Sequence, residues 1–256
     1  MMRIDPRDLG SFWTIDGEHL RITPLQASRF AKEIAGDWNP IHDVGAKRYC
    51  VPGDLLFAVV LSRYGLRQRM AFRFEDMVGE GQVLRLPPPE DAVEANGADA
   101  DADSALILAD VAGKPCLSVT VGGARSHDAV ATEAFIRRYV SFSGRNFPHF
   151  LQPLMAEQGV MFNLDRPLVI YDSMAFALTA PVPATGLDLE LSGRGLEVQG
   201  RRAVATLEFR ISAAGETIGE GRKRLLVGGL QAYDGERVQA FIDRYRGRMS
   251  RYAPEG

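Results

Sequence analysis

The chain repeats itself, and the repeat limits the folds open to it. Ala134-Phe135-Ile136-Arg137-Arg138-Tyr139 returns as Ala240-Phe241-Ile242-Asp243-Arg244-Tyr245. Val121-Gly122-Gly123 returns as Val227-Gly228-Gly229, so both pairs share an offset of 106 residues. Gly36-Asp37-Trp38-Asn39-Pro40-Ile41-His42 is echoed, one residue shorter, by Gly144-Arg145-Asn146-Phe147-Pro148-His149. A unit of this length is too long for a solenoid repeat and too short for two independent large domains. The echoes predict two copies of one unit, 1–128 and 129–256, the second ending in a helix.

Each copy has the same coarse order. A helix leads into the motif, over Pro24 to Gly36 and again over Ala129 to Gly144, with Thr23 or Ser28 as the first N-cap. An apolar helix follows. In the first copy it runs from about Gly53 to Tyr64, with Leu55, Leu56, Val59 and Val60 at helical spacing; in the second it lies near Pro153 to Phe162. Strands come next. Leu187, Leu189 and Leu191 alternate with polar residues, as do Ala205, Leu207, Phe209 and Ile211; Gly215 turns the chain and Ile218 to Val227 returns. The first copy offers Ala105 to Val111, a turn at Ala112-Gly113-Lys114, then Leu117, Val119 and Val121. An apolar helix followed by antiparallel strands is wrapped by its own sheet, and two such units protect strand edges by pairing. The expected class is α+β.

Pro87 to Ser104 differs in kind. It opens on three prolines and holds Asp, Glu, Ala and Gly with no Lys or Arg, which predicts a solvated loop. Asp99, Asp101 and Asp103 alternate as a calcium loop begins, but Ser104 occupies the sixth position, where such a loop needs glycine. No metal and no cofactor is expected.

A formal net charge of −3 gives nucleic-acid binding no support from the whole chain. The clusters Arg222-Lys223-Arg224 and Arg244 to Arg251 read as solvated faces, with a phosphorylated carrier as the sharper alternative. Cys50 and Cys116 have no metal or disulfide spacing, which fits a reducing compartment. The longest apolar run, Leu55 to Leu61, is far short of a bilayer span, and the first residues have no signal-peptide core. The expectation is a soluble cytoplasmic protein, monomer or homodimer, binding neither nucleic acid nor membrane.

Ala35 to Asp43 carries the chemistry. Asp37 and His42 stand five apart, which on one helix would place them on different faces. Pro40 fixes its own φ and moves Asn39 out of the helical region, so the chain turns between them. The two side chains can then converge on one water molecule; the plain alternative is that Asp caps a turn and His satisfies a buried carbonyl. Asn39 either holds the turn or touches a ligand. Trp38 either packs over the turn or lines a tunnel. Cys50 is a small buried residue without a neighbouring base.

The stretch Gly36-Asp37-Trp38-Asn39-Pro40-Ile41-His42, followed by Pro52-Gly53 and an apolar helix, resembles the MaoC-like (R)-specific enoyl-CoA hydratases. The whole chain, including Val51 to Phe57 and Pro153 to Met161, is similar to a family of bacterial proteins that carry this motif without an assigned activity. The resemblance implies a double hot-dog fold, two antiparallel sheets each wrapping a helix. It implies that Asp37 and His42 activate a water that adds to a trans-2-enoyl thioester carried by coenzyme A or acyl carrier protein. It also implies that the N–H of Gly53 holds the enolate oxygen. Asn39, Trp38 and Asp54 are the expected substrate contacts, with a helix cap as the other reading of Asp54. The chain departs from that family in having Pro52 where a histidine usually stands, Leu61 where a polar residue supports the aspartate, and Arg145 in place of the second Asp. Two other functions remain open: a non-catalytic acyl-thioester or apolar-ligand binder, and a thioesterase using Asp54 or Glu157.

Overall fold

The computed structural model describes residues 8–89 and 104–252. The acidic stretch with Asp99, Asp101 and Asp103 therefore lies outside the described residues. The first copy begins with a short hairpin, β1 (Thr14–Asp16) and β2 (His19–Arg21). Helix α1 (Pro24–Arg29) follows, with Thr23 rather than Ser28 as its N-cap in a reciprocal capping box with Gln26. The predicted helix to Gly36 is not uniform: Phe30–Ala35 widens into a π-helical turn. Such wide turns gather at functional sites, and this one delivers the chain to Asp37. Helix α2 (Gly53–Tyr64) has the expected bounds and is buried almost all round, as a helix wrapped by a sheet must be. Strands β3 (Arg67–Phe74), β4 (Leu84–Arg85), β5 (Ser104–Asp110) and β6 (Pro115–Arg125) complete the copy.

In the second copy α3 (Ala129–Ser143) leads through a kinked segment, Asn146–Phe150, in which Phe147 is extended rather than helical, to α4 (Leu151–Glu157). Helix α4 is shorter and earlier than the predicted Pro153 to Phe162, because Gly159 turns the chain and β7 (Val160–Met161) begins there. Long strands β8 (Leu168–Leu178), β9 (Leu187–Gln199), β10 (Arg202–Ala213) and β11 (Glu216–Gly228) follow, then β12 (Gln231–Ala232) and the C-terminal helix α5 (Gly235–Arg251).

The sheets of the two units pair edge to edge, as expected, into one sheet of ten strands, ordered β1-β2-β4-β5-β6-β3-β8-β11-β10-β9, beside a two-stranded β12-β7 ribbon. The halves fuse where β3 pairs antiparallel with β8, Phe72 opposite Met174 and Met70 opposite Phe176. Those four side chains are buried. Fusion removes two edges that would otherwise present unpaired backbone groups. The result is an α+β double hot dog with a shared sheet. Its core is continuous: Phe57 of α2 stacks on Tyr139 of α3 with ring centroids 4.2 Å apart and meets Phe176 of β8 at 6.3 Å.

The two motif turns pack directly on each other. A Cβ on Gly144 would lie 1.8 Å from the Ala35 carbonyl oxygen, so only glycine permits this approach.

Candidate active site

Asp37 follows the π-helical turn, its N–H bonded to the Ala31 carbonyl at 2.7 Å. Asn39 has extended backbone angles, as a residue before proline should, and N-caps the single 3₁₀ turn Pro40–His42 by accepting from the Ile41 N–H. Its own N–H donates to Asp37 Oδ1 at 2.8 Å, and its side-chain amide reaches the Val169 carbonyl of β8 at 3.4 Å. Asn39 thus holds the turn, fixes the carboxylate and ties both to the other half.

His42 is buried. Its Nδ1 lies 2.9 Å from the Cys50 carbonyl oxygen. A carbonyl only accepts, so Nδ1 carries a proton, and the neutral tautomer of the ring has its lone pair at Nε2. That atom stands 3.6 Å from Asp37 Oδ2. Two acceptors that close can both be satisfied by one water donating to each. The Asp37 side chain keeps 27% of its surface exposed, toward a cavity of about 350 Å³ lined by Asp37, Asn39, His42 and Gly53 among others. Partial burial raises its carboxyl above the ordinary value; the neighbouring His42 and the Asn39 N–H oppose the rise. Burial, with Asp37 nearby, pushes the Cys50 thiol up to about 12, so it stays protonated and a poor nucleophile.

Gly53 opens α2 at the cavity wall. The first N–H groups of a helix have no intrahelical acceptor and favour a negatively charged oxygen. A Cβ here would sit 2.9 Å from the Phe74 ring and 3.0 Å from that of Tyr171, so glycine lets both rings close over the helix start.

Two expected substrate contacts lie elsewhere. Trp38 does not line the cavity. Its ring is buried edge-on against Tyr252, centroids 5.0 Å apart, and its backbone N–H donates to the Tyr245 hydroxyl at 3.0 Å. Asp54 does not line the cavity either, and it is not the N-cap, which is Pro52. Its Oδ1 accepts from Ser143 Oγ at 2.7 Å and lies 3.7 Å from Lys223 Nζ. Lys223 was expected in a solvated run, yet it is fully buried, close to Ser143 Oγ and 3.7 Å above the Tyr139 ring. Desolvation lowers its ammonium to about 8, with Asp54 resisting; burial likewise raises Asp54, with Lys223 resisting. Glu157 is exposed and paired with Arg194 at 3.0 Å, away from the cavity.

Sequence reasoning missed the far wall. Asn146 and Phe147 of the second motif line the cavity, with Asn146 donating to the Tyr171 hydroxyl at 2.8 Å. Tyr171, Phe241 and Tyr245 line it too. The repeat was the available signal, since Phe241 and Tyr245 are the echoes of Phe135 and Tyr139. The second turn supplies no acid–base pair. Arg145 lies over the Phe150 ring at 5.4 Å, and His149 is exposed, its ring held below the ordinary value by partial burial and by Arg145 and Arg246. Among the described residues no cluster of three or more His, Cys, Asp or Glu side chains could hold a metal ion, and no helix is long and apolar enough to cross a membrane.

A double hot dog with an Asp/His pair at a cavity lined by residues of both halves is thus the class that fold and site define. Over residues 7–236 the sequence matches the family described as a protein of unknown function, DUF3581, and the chain belongs to that family. No curated protein matches it. Among solved structures it is similar to a conserved hypothetical protein of Mycobacterium tuberculosis with a double hot-dog fold, at 11% identity and TM-score 0.45, covering 83% of this chain and 95% of that one. It is also similar to a MaoC-like dehydratase, at 11% identity and TM-score 0.42, covering 86% and 99%. An acyl-CoA thioesterase II of Mycobacterium marinum is similar at 11% identity and TM-score 0.40, covering 89% and 98%.

Proposed function

We propose that this protein is a hydratase adding water across the double bond of a trans-2-enoyl thioester. The observation that carries the reading is the facing pair, Asp37 Oδ2 and His42 Nε2, 3.6 Å apart at the cavity that Gly53 also lines. A water held between two acceptors keeps an oxygen lone pair for C3 of the enoyl group. As that oxygen bonds C3, the pair takes one water proton and the C2–C3 π electrons move toward the thioester carbonyl. The Gly53 N–H at the helix start stabilises the resulting enolate oxygen. The pair then returns a proton to C2, and the 3-hydroxyacyl thioester leaves with all atoms of water added. Asn39 keeps the carboxylate aimed, and the Cys50 carbonyl, accepting from Nδ1, keeps Nε2 turned toward Asp37.

A second reading uses the same pair. The water could be aimed at the thioester carbonyl, giving hydrolysis. With Glu157 on the surface and Asp54 off the cavity lining, Asp37, the carboxylate facing His42, serves that reaction too.

One assay separates the two. Purified protein is mixed with crotonyl-CoA and longer 2-enoyl-CoAs while enoyl absorbance and free thiol are followed together. Loss of absorbance without thiol release is expected; thiol release would move the assignment to hydrolysis. Inertness of well-folded protein toward all chain lengths would remove both.

A further inference from the structure

The cavity's lining is of two kinds. Glu75, Asp76 and Met77 border it, and Met77 is 37% exposed. Leu151 and Phe162 line it too, buried to 1% and 2% exposure. Beside these buried residues four rings cluster. Phe147 meets Phe162 at 5.4 Å, Phe241 at 5.4 Å and Tyr245 at 5.6 Å, and Phe162 meets Phe241 at 5.8 Å, all edge to face. Rings at such spacing are in mutual contact, so no chain passes between them. Two of the four, Phe241 and Tyr245, come from α5 and line the cavity.

We infer that Phe241, braced by Phe147 and Phe162, is the end stop of the acyl pocket and restricts this protein to short acyl chains. The inference rests on the acyl-thioester reading above and adds to it the class of acyl group. The apolar tail of a thioester seeks the dry, ring-lined part of the lining, while its polar carrier must leave past the exposed residues. Phe241 carries the stop because it is half-buried on one face of a helix. Phe147 sits inside the second motif turn and Phe162 in the loop directly after β7. Tyr245 is committed to the Trp38 N–H.

The test compares wild type, Phe241→Ala and Phe241→Trp. It measures hydration of crotonyl-, octenoyl- and dodecenoyl-CoA, and calorimetric binding of the saturated butyryl, octanoyl and dodecanoyl thioesters. Wild type should prefer the four-carbon over the twelve-carbon compound by about tenfold or more, in the range a misfitted pocket gives. Phe241→Ala should flatten or invert that order, and Phe241→Trp should steepen it. Opposite shifts from the two variants cannot come from loosening of the helix alone. Equal handling of all lengths by wild type, or an order unmoved in both variants, overturns the end stop and leaves the reaction standing. Binding that favours short chains without hydration overturns the reaction and leaves the end stop standing. If no acyl thioester binds or reacts, both fall.

Discussion

Asp37 and His42 show how much of a site one backbone constraint can specify. The asparagine–proline break made their convergence legible in sequence, because Asn39 cannot continue the helix before Pro40. What was not legible was the hydrogen-bond frame. The Cys50 carbonyl that sets the His42 tautomer lies on a later loop, and nothing local announces it. Asp37→Asn should lower turnover about 10² to 10⁴-fold while leaving the circular dichroism spectrum unchanged, as loss of general acid–base catalysis predicts. The pH profile follows from the raised Asp37 carboxyl. The group works as a base only when ionised, so kcat/KM should climb with pH through its folded value and fail on the acid side at a pH above that of an ordinary carboxylate. A profile flat down to the usual carboxylate range would remove Asp37 as the base. Gly53→Ala should cost about 1–3 kcal/mol in urea unfolding and lower activity, since the added methyl drives into the Phe74 and Tyr171 rings.

At the scale of elements, β11 and α2 meet through a buried ion pair that sequence reading placed in water. Arg222-Lys223-Arg224 looks like a solvated run, yet Lys223 shares the strand phase of Leu225 and Val227, which point inward. Alternation therefore outranked composition, and it was the better guide. Removing one partner leaves the other charge buried and alone. Lys223→Met should lower unfolding free energy by about 3–5 kcal/mol, whereas Lys223→Met with Asp54→Leu should recover much of that loss. A double variant no more stable than the single one would exclude the pair as the cause. Because Lys223 releases its proton near pH 8 when folded and at its ordinary higher value when unfolded, the unfolded state binds more protons between those limits. Stability should therefore rise with pH across that window, and the slope should vanish in Lys223→Met. Helix α2, by contrast, was readable to the residue, since unbroken apolar spacing between Gly53 and Tyr64 leaves no competing boundary.

Across the whole molecule, the repeat predicts two similar halves but says nothing of what their differences do. The same Ala-Phe-Ile-x-Arg-Tyr pattern buries Phe135 and Tyr139 in the core, then sets Phe241 and Tyr245 against the cavity. Context decides, because α3 packs between α2 and the sheet whereas α5 lies across the first motif. There Arg248 pairs with Asp43 at 2.5 Å and the Tyr252 hydroxyl donates to Glu33 at 2.8 Å. These partners stand some 200 residues apart, too far for local patterning to link them. Truncation after Asp234 should uncover Trp38, Phe147 and Phe162, raise binding of a hydrophobic dye and abolish turnover. A truncated chain with wild-type dye response and activity would show that α5 is dispensable.

The seam between β3 and β8 has a kinetic corollary. What two separate chains would have to find by collision is here tethered on a single polypeptide, so the cavity needs no second chain to form. Specific activity per chain should stay constant on dilution down to nanomolar protein, whatever larger complexes form or fall apart.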